Sequence, residues 1–536
     1  MRKFLLLLYV SVVLLSCKKT VIDEIAGDSF RISILPIQSP AFNQFKIAGT
    51  LEIRKTATDI EYGLVVSKLL NPTIETAKIY KIGGSKNSVD FTQQLTDLDT
   101  GSVYYVRAYG KGNAVTEYSA NQVIGKVSPQ IVSADNKVNY GRPLLITTNI
   151  STLTKESPVK VFLNTTELIV TSISGSNVGS AITAQFSNQL APGVYTLKVS
   201  IDNLNLVYQK KVTLLEGTWQ QLENLPADNG GLIGTANYFI SGDWIYTFGV
   251  ASQAATTIAN FNKYNYKTRQ KVLLTPYDPV YALEKPAILQ EGSNIHMICG
   301  DLIGGYQNAV TTKSHYVYNM TTDNWIKEAD FPGGERRNPV AIVANNKLYV
   351  GMGYKTSPVI VFPSSNTYYT DFWSYDLTTK VWKKLSDFPQ SKGRMLSGTF
   401  TIGSKLYITG GAAGETGSSS SGAASKETWC YDAATDQWTK KADYPGKGEI
   451  AFANFSIGNF GYVGLGESLF YDSYFGKNLD QQFFKYDPAN DKWTEVSNLN
   501  RGISQGLSGA NGIQGFAGGG SDAYGGPIKT LYMFTP

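Results

Sequence analysis

Hydrophobic and polar positions alternate in short runs along most of this chain. No stretch sustains the 3.6-residue spacing of apolar side chains that marks an amphipathic helix. The runs are rich in Val, Ile, Thr, Tyr and Phe and are separated by Gly, Asn, Asp and Ser, a combination typical of strands joined by turns. The pattern therefore predicts an all-β protein. One segment departs from it, because Phe4–Leu15 is almost continuously apolar.

The apolar segment has the features of a secretory signal. Arg2-Lys3 precedes it, and it is too short to span a bilayer comfortably. Its end, Leu14–Cys17, resembles the lipobox of bacterial lipoproteins, which implies that residues 1–16 are removed and that Cys17 is acylated. The alternative is an ordinary signal peptide in which Cys17 stands by chance. With acylation, residues 17–29 form a lipidated tether that holds the protein at a membrane.

Two blocks of alternating runs follow the tether, and each is predicted to form an immunoglobulin-like β-sandwich. In residues 30–126, Leu95–Tyr109 places a leucine, a turn and an alternating aromatic run together, which resembles the late strands of a fibronectin type III domain. In residues 127–216, Leu190–Val199 carries a Pro-Gly-Val-Tyr turn into a final strand, which resembles an IPT/TIG domain. We expect both blocks to act as spacers, although either could bind a ligand.

The remainder of the chain repeats. Trp325, Trp382, Trp438 and Trp493 lie 57, 56 and 55 residues apart, and each follows a Tyr-Asn or Tyr-Asp pair. Gly-rich strand ends lie upstream of each pair, as at Gly410-Gly411. This pattern resembles kelch repeats, in which each repeat is one four-stranded blade of a β-propeller.

Six blades fit into residues 217–536. Trp219 precedes Trp325 by two periods, and the repeat between them lacks its Trp near Val272. The last run, Ile528–Thr535, has no Trp strand after it, whereas Thr218–Leu222 is a Trp strand with no blade before it. Pairing of these two segments closes the ring and removes its exposed edges.

The lengths of the connections indicate which face of the propeller binds. Within a blade the first turn is short, whereas the next connection is long and irregular. These connections are Val250–Asn260, Asp301–Ser314, Tyr354–Thr370, Ala412–Lys426 and Glu467–Leu479. In a propeller they lie on the same face as the segments that join successive blades, and loops of this length are usually functional or disordered.

Two sets of side chains on that face are candidates for ligand binding. The first is a set of loop aromatics that suit sugar rings or peptide side chains: Tyr306, Tyr354, Tyr368, Tyr369, Tyr471 and Tyr474. The second lies in the blade-to-blade segments at the channel mouth: Arg337, Arg394, Arg501, Glu284, Glu335 and Glu449. The kelch resemblance implies arginines at the start of inner strands that hold anionic ligands. The alternatives are aromatics that pack on one another and arginines that pair within the protein.

The amino-acid composition excludes several kinds of metal site and argues against nucleic-acid binding. Two His cannot build a three-His zinc site and three Cys cannot build a four-Cys zinc cluster, and a formal charge of +5 is too small to indicate nucleic-acid binding. Cys299 and His315 could face each other across one hairpin, and His296 lies on the same strand as Cys299. All three fall within one blade, so the ligand set of a galactose-oxidase-like copper site is incomplete, and we expect a buried Cys and a His whose hydrogen bonds are satisfied. No metal or other cofactor is expected.

These observations predict a non-enzymatic lipoprotein. The combined modules resemble lipoproteins of Bacteroidota, which implies an anchor in the outer membrane, exposure at the cell surface and a role beside a TonB-dependent uptake or outer-membrane complex. The propeller would bind a glycan or a partner protein. The alternative is a sugar enzyme, because the sialic-acid mutarotases are also six-bladed kelch proteins and an Arg/Glu ring could hold a carboxylate and move a proton.

The lipobox resemblance predicts that Cys17→Ser releases the protein from membranes, because the variant has no thiol to acylate. Fractionation of cells followed by a carbonate wash measures the release, with Ser16→Ala as the control that keeps the thiol. A Cys17→Ser protein that still sediments with lipid would contradict the assignment.

Overall fold

The computed structural model describes residues 29–536 with short gaps at 42–43, 57, 99–101, 125–128, 151–152, 177–178, 187–189, 203, 225–236, 254–255, 276–282, 303–309, 357–365, 415–422, 448–449 and 473–475. Every regular element in these residues is a strand, so the predicted all-β class is confirmed. The described part of the chain has no helix long and apolar enough to cross a membrane. The signal segment and Cys17 lie outside the described residues.

The chain divides into two compact units. The first comprises the described residues up to Asp135 together with Leu144–Gln185 and Thr196–Lys210, and the second comprises Asn136–Pro143, Phe186–Tyr195 and Lys211–Pro536. The predicted boundary before Trp219 does not coincide with this division, because three segments of the predicted IPT/TIG block fall in the second unit.

The first block of the first unit contains two sheets that share one core. Its strands are β1 (Ser29–Ile34), β2 (Gln38–Ala41), β3 (Gln44–Lys55), β4 (Ile60–Ser67), β5 (Lys78–Ser85), β6 (Val89–Leu95), β7 (Tyr104–Lys111), β8 (Thr116–Tyr118) and β9 (Gln122–Ile124). One sheet has the order β1-β3-β2 with β6 on β3, and the other has the order β5-β4-β7-β8 with β9 on β7. Ile47 and Leu51 from the first sheet pack with Leu64 and Val106 from the second. This is a sandwich arrangement, and the fibronectin type III assignment stays a prediction.

The next strands form a separate sheet. They are β10 (Ile131–Ala134), β11 (Lys137–Asn139), β12 (Leu144–Thr148), β13 (Val159–Leu163), β14 (Thr166–Ser176), β15 (Gly179–Gln185), β16 (Gly193–Ile201) and β17 (Leu204–Leu215). Its strand order is β10-β12-β15-β14-β13-β16-β17, and the neighbouring strands from β10 to β16 are antiparallel. In the second unit, the end of β17 pairs in parallel with β11, with Lys137 opposite Thr213. The IPT/TIG assignment stays a prediction.

Six sheets of four or five strands follow in the described part of the second unit. The first four blades are β19 (Asn237–Ser241), β20 (Trp244–Gln253), β21 (Thr256–Asn265) and β22 (Lys271–Leu273); β23 (Leu283–Glu284), β24 (Ala287–Glu291), β25 (Asn294–Leu302), β26 (Val310–Asn319) and β27 (Asn324–Glu328); β28 (Val340–Ala344), β29 (Lys347–Gly351), β32 (Phe372–Asp376) and β33 (Val381–Lys384); and β35 (Gly398–Ile402), β36 (Lys405–Thr409), β39 (Thr428–Asp432) and β40 (Gln437–Lys441). The fifth is β41 (Ala453–Ile457), β42 (Phe460–Gly464), β45 (Phe483–Asp487) and β46 (Lys492–Val496), and the sixth joins β47 (Leu507–Ala510), β48 (Gly515–Gly518) and β49 (Thr530–Thr535) to β18 (Thr218–Asn224).

Smaller strands connect to these blades. They are β30 (Tyr354–Thr356), β31 (Asn366–Tyr368), β34 (Gly393–Met395), β37 (Ala412–Gly414), β38 (Ala423–Ala424), β43 (Glu467–Asp472) and β44 (Gly476–Leu479). The pairs β30–β31, β37–β38 and β43–β44 are antiparallel, and β34 pairs with β37. We call the three antiparallel pairs the ribbons.

Each inner hairpin turns where the sequence allows a left-handed backbone. In blade 3 the turn is Asn345-Asn346, whose φ angles are 50° and 58°, and blades 1, 2, 4 and 5 use Gly at the equivalent first position. Asn and Gly tolerate these angles, which match the right-handed twist of the strands. The predicted short first turns are therefore confirmed.

The sixth blade closes the ring as predicted. Strands β18 and β49 are antiparallel neighbours, with Trp219 opposite Phe534. The ring centroids of Trp219 and Phe534 lie 5.0 Å apart, and Phe483 of blade 5 lies 5.2 Å from Trp219. The outer strand of the last blade thus comes from the start of the repeat region, and its Trp is partly buried and packs against the core.

Truncation of Phe534 tests the closure. Phe534 is fully buried, so Phe534→Ala should lower the free energy of unfolding by about 3–5 kcal/mol, because it leaves a cavity beneath Trp219. Urea unfolding followed by Trp fluorescence measures the change, and Thr535→Ala at the exposed neighbouring position is the control. Equal stability of the two variants would contradict a closure held by this core.

Candidate functional site

The blade-to-blade segments and the ribbons meet on one face of the propeller. Each connecting segment pairs with the chain at the start of a connection between the second and third strands of its blade. The pairs are Glu284–Asp301, Arg337–Tyr354, Arg394–Ala413, Ile450–Glu467 and Ser504–Ser521. The prediction that both sets of connections share a face is confirmed, and we call this the ribbon face.

The long connections are more regular than the sequence suggested. Strand β20 continues to Gln253 and strand β21 begins at Thr256, so the prediction of an irregular loop at Val250–Asn260 was wrong. The connections of blades 3, 4 and 5 begin and end in the ribbons. In the described parts of these connections, backbone pairing extends the hairpins beyond the blade, so those parts of the ribbon face have a regular backbone.

Arg337 lies on this face and already has a carboxylate partner. Its guanidinium pairs with Asp301, which is 2% exposed, and lies over the Tyr354 ring at 5.6 Å from the centroid. Asp301 also accepts a hydrogen bond from Thr311 Oγ1 at 2.9 Å. Among the described residues, Nε of Arg337 has no hydrogen-bond acceptor.

Arg394 is more deeply buried than Arg337 and also pairs with a carboxylate. Its side chain is 5% exposed, and Nη2 donates to Glu427 Oε2 at 2.6 Å. Burial raises the pKa of Glu427, but the hydrogen bonds from Lys440 and Trp429 and the Arg394 charge outweigh it, so the pKa is lowered overall. A nearly inaccessible guanidinium that neutralises a carboxylate favours a structural role for Arg394, the second of the two alternatives.

Arg336 makes the equivalent contact in blade 3, which sequence analysis missed. It is fully buried, and its guanidinium bonds both oxygens of Asp371, at 2.6 and 3.0 Å. Asp371 and Glu427 both stand one residue before a third strand and both accept a bond from a Trp Nε1, at 2.7 and 3.3 Å. Because the two arginines are adjacent in the sequence, the sequence alone does not indicate which of them is buried.

Arg501 does not join the other arginines. Its predicted register was wrong, because Ser504 takes the equivalent position by bridging to Ser521, and Arg501 is exposed three residues earlier. Glu335 is on the ribbon face and pairs with Lys355, with 43% and 33% of their side chains exposed. Glu284 pairs through its backbone in β23, but its side chain and all of Glu449 lie outside the described residues.

The described loop aromatics pack on one another or on an arginine. Tyr354 and Tyr368 are stacked with centroids 5.6 Å apart, and Tyr368 is 5% exposed in a cluster with Met395 and Ile450. Tyr369 lies 4.1 Å from the Arg336 guanidinium. All three therefore have packing partners within the protein, while Tyr354 and Tyr369 remain partly exposed. Three others cannot be placed: Tyr306 and Tyr474 lie outside the described residues, as does the side chain of Tyr471.

A second polar network on the ribbon face joins blades 5 and 6, and it too was missed. Glu467 is 3% exposed and pairs with Lys477 at 2.7 Å. The hydroxyl of Ser504 donates to Glu467 and accepts from Lys477 Nζ at 3.0 Å. Glu467 and Lys477 come from the two strands of one ribbon, whereas Ser504 comes from the segment between blades 5 and 6, so only the fold brings the three together.

The two histidines form a buried pair away from the ribbon face. His296 Nδ1 and His315 Nε2 are 2.9 Å apart, so one ring donates to the other, while Ile298 rather than Cys299 lies opposite His315. His296 occupies the position of Tyr349 in the next blade, and His315 that of Phe372. Cys299 is buried, which raises the pKa of its thiol to about 12. The expected buried Cys is confirmed, whereas each His is satisfied at one ring nitrogen only, because His296 Nε2 and His315 Nδ1 are buried without a hydrogen-bond partner among the described residues. No group of three His, Cys, Asp or Glu residues in the described ranges could hold a metal ion.

The histidine pair predicts an acid-sensitive stability. Burial lowers the pKa of His296 to about 4 and that of His315 to about 3, against 6.5 for an exposed His. Between pH 6.5 and 4 the unfolded chain therefore binds more protons, and the free energy of unfolding should fall by up to about 1.4 kcal/mol per pH unit for each His as the pH decreases. Urea unfolding at pH 7, 6 and 5 measures the slope.

The control is His296→Tyr/His315→Phe, which supplies the residues of blade 3. Its stability should vary less than that of the original chain between pH 6.5 and 5, and the two should run in parallel above pH 7. Identical slopes below pH 6.5 would show that the histidines are not the source.

Comparisons with known proteins agree with this architecture. A family model described as the KLHDC2/KLHL20/DRC7 Kelch-repeats domain matches residues 293–510. The chain is 32% identical to N-acetylneuraminate epimerase of Pasteurella multocida over 117 residues, which are 21% of this chain and 30% of that protein. It is 29% identical to Kelch-like protein 25 of Xenopus tropicalis over 143 residues, 25% of this chain and 22% of that protein.

The matched residues make up less than a third of the length of each of these two relatives. The solved structure of YjhT covers 59% of this chain and 97% of its own length, at 16% identity and a TM-score of 0.45. Together, the six four- or five-stranded sheets, the Trp periodicity and the family match show that the C-terminal region of this chain is a kelch-repeat domain.

Proposed function

We propose that the kelch propeller is a binding module whose ligand, a glycan or a partner protein, is held on the ribbon face. The supporting observation is a patch of charged and aromatic side chains fixed by their neighbours: Glu335, Arg337, Tyr354 and Lys355. We call this the mixed patch. Its groups are held before a ligand arrives, so less side-chain entropy is lost on binding.

The composition of the mixed patch limits the ligand. Arg337 is paired with Asp301 and its Nε is buried, so the more accessible charges of the patch are those of Lys355 and Glu335. Alternating charge suits a ligand with one anionic group among neutral polar groups, such as an acidic sugar or an acidic loop of a protein. A polyanion would instead require a uniform basic surface.

Glu335→Ala/Lys355→Ala tests the mixed patch. An exposed ion pair contributes about 0–1 kcal/mol to stability, so the fold should persist. The affinity for a ligand that contacts the pair should fall at least tenfold, since two charge-assisted contacts of about 1.5 kcal/mol or more are lost. A glycan array and a pull-down from membrane extracts, each followed by calorimetry, cover both classes of ligand.

The control is Lys492→Ala, an exposed Lys at the start of the outer strand of blade 5, beside the turn at the opposite end of the blade from the ribbons. Arg394→Ala is unsuitable as a probe, because it would leave the Glu427 carboxylate without its buried partner and destabilise the fold. Equal affinity of the double variant and the control would remove the mixed patch from the proposal.

The location proposed for this module is the outer membrane. A lipid on Cys17 would anchor the chain and the two N-terminal blocks would act as spacers, with the propeller facing the cell surface as an accessory of a TonB-dependent uptake or outer-membrane complex. The lipobox resemblance supports the anchor. Protease shaving of intact cells distinguishes the cell surface from the periplasm.

A second candidate is a sugar enzyme, which the partial match to the Pasteurella epimerase favours. The Glu467–Lys477–Ser504 network offers a carboxylate and an ammonium group within hydrogen-bond distance, a combination that can move a proton. Incubation with N-acetylneuraminate, followed by NMR of its isomers, tests this candidate. Conversion that is lost in Glu467→Gln would favour the enzyme over the binding module.

A further inference from the structure

We infer that a cleft at the edge of the propeller binds a sugar that carries a carboxylate. The cleft has a volume of about 460 Å³ and lies where the closing strand β18, strand β49, the segment after β46 and the turn after β11 meet. All of these segments belong to the second unit. We call it the edge cleft. Its volume lies in the range of small-molecule sites and suits one or two sugar rings.

Two cations line the edge cleft without a carboxylate beside them. Arg142 and Arg501 are both exposed, and no Asp or Glu is among the described residues that line it. In the described part of the chain, neither guanidinium forms an ion pair or a hydrogen bond. This distinguishes them from Arg337 and Arg394, whose charges are neutralised by Asp301 and Glu427. Available guanidinium groups bind a carboxylate through two parallel hydrogen bonds.

The other lining residues suit a sugar ring. Tyr140, Trp219 and Tyr532 are each partly exposed and present aromatic surface to the edge cleft. Aromatic faces pack against the C–H face of a pyranose. The exposed amides of Gln221 and Asn500 add donors and acceptors for hydroxyl groups.

The walls of the edge cleft are fixed by internal hydrogen bonds. Asn139 Nδ2 donates to the carbonyl of Asn498 at 2.7 Å, and the Asn498 N–H donates back to Asn139 Oδ1 at 2.8 Å. Trp219 Nε1 donates to the carbonyl of Ser497 at 2.7 Å. A cleft whose walls are held in this way loses little conformational entropy when a ligand enters.

This inference does not depend on the function proposed for the ribbon face, because the two sites share no residue. Two guanidinium groups beside aromatic rings and amides favour one acidic sugar unit over an extended polyanion, which would need a longer run of cations. They also favour it over an apolar peptide, because the polar groups would lose their hydrogen bonds to water.

Two matched probes test the edge cleft on the full chain in detergent. Methyl β-D-glucuronide carries a carboxylate where methyl β-D-glucoside carries a hydroxymethyl group. Calorimetry and saturation-transfer NMR should show at least tenfold tighter binding of the glucuronide. Arg142→Ala and Arg501→Ala should each weaken glucuronide binding at least tenfold and leave glucoside binding unchanged. Arg501→Lys, which keeps the charge but not the paired donors, should fall between Arg501→Ala and the original chain.

Two control variants distinguish the edge cleft from the rest of the protein surface. Arg31→Ala removes an exposed guanidinium from β1 in the first unit and should leave glucuronide binding unchanged, as should Lys492→Ala, an exposed position outside both proposed sites. Thermal melting of each variant verifies the fold. Equal binding of the two glycosides, or glucuronide binding that survives loss of both arginines, would overturn the inference. So would a tetraglutamate peptide that binds more tightly than the glucuronide through the same arginines.

Discussion

The propeller depends on a repeated clamp between successive blades. In blades 2, 4 and 5 the hydroxyl of a buried Tyr donates to an Asp five residues later, at 2.5–2.7 Å, as in Tyr431 and Asp436. The same Asp accepts a backbone N–H from the preceding blade, and the Trp two residues after it donates its indole N–H to a carbonyl of that blade. One carboxylate thus satisfies two donors at a buried junction, where either donor alone would be costly to leave unpaired. The Tyr–Trp periodicity of the sequence is the visible part of this clamp.

Blade 3 departs from this clamp, and its surroundings change accordingly. Lys380 stands where blades 2, 4 and 5 have Asp and pairs with Glu328 of blade 2, which also accepts a bond from the Tyr375 hydroxyl at 3.2 Å. The junction therefore keeps its charge balance with the carboxylate on the other blade. His296 and His315 lie at this same junction, and Tyr375 packs edge-on against His315 at 4.9 Å. The two histidines thus replace the aromatic residues that blade 3 has at the equivalent positions, Tyr349 and Phe372. The replacement lies at the junction where the carboxylate is on the preceding blade.

The fold was predictable because it depends on local patterns. Alternation defined the strands, turn residues such as Asn345-Asn346 defined the hairpins, and the position of Trp219 identified the closing strand. The site was less predictable, because register and pairing across connections are not encoded locally. Arg501 resembles Arg337 and Arg394 in its place before an inner strand, but a shift of three residues puts it elsewhere. The network of Glu467, Lys477 and Ser504 is assembled from connections that no spacing rule joins.

The arginines show how pairing decides which charges remain available. Arg336 and Arg394 each bond a carboxylate in a nearly dry environment, where separation of the pair would leave a buried charge. Such a pair is part of the scaffold, and a ligand would have to displace the carboxylate before it could use the guanidinium. Arg142 and Arg501 have no such barrier to binding, because both remain in contact with water beside aromatic surface. A propeller that neutralises its inner arginines therefore leaves recognition of anionic groups to the mixed patch, where Lys355 is partly exposed, and to its outer edge.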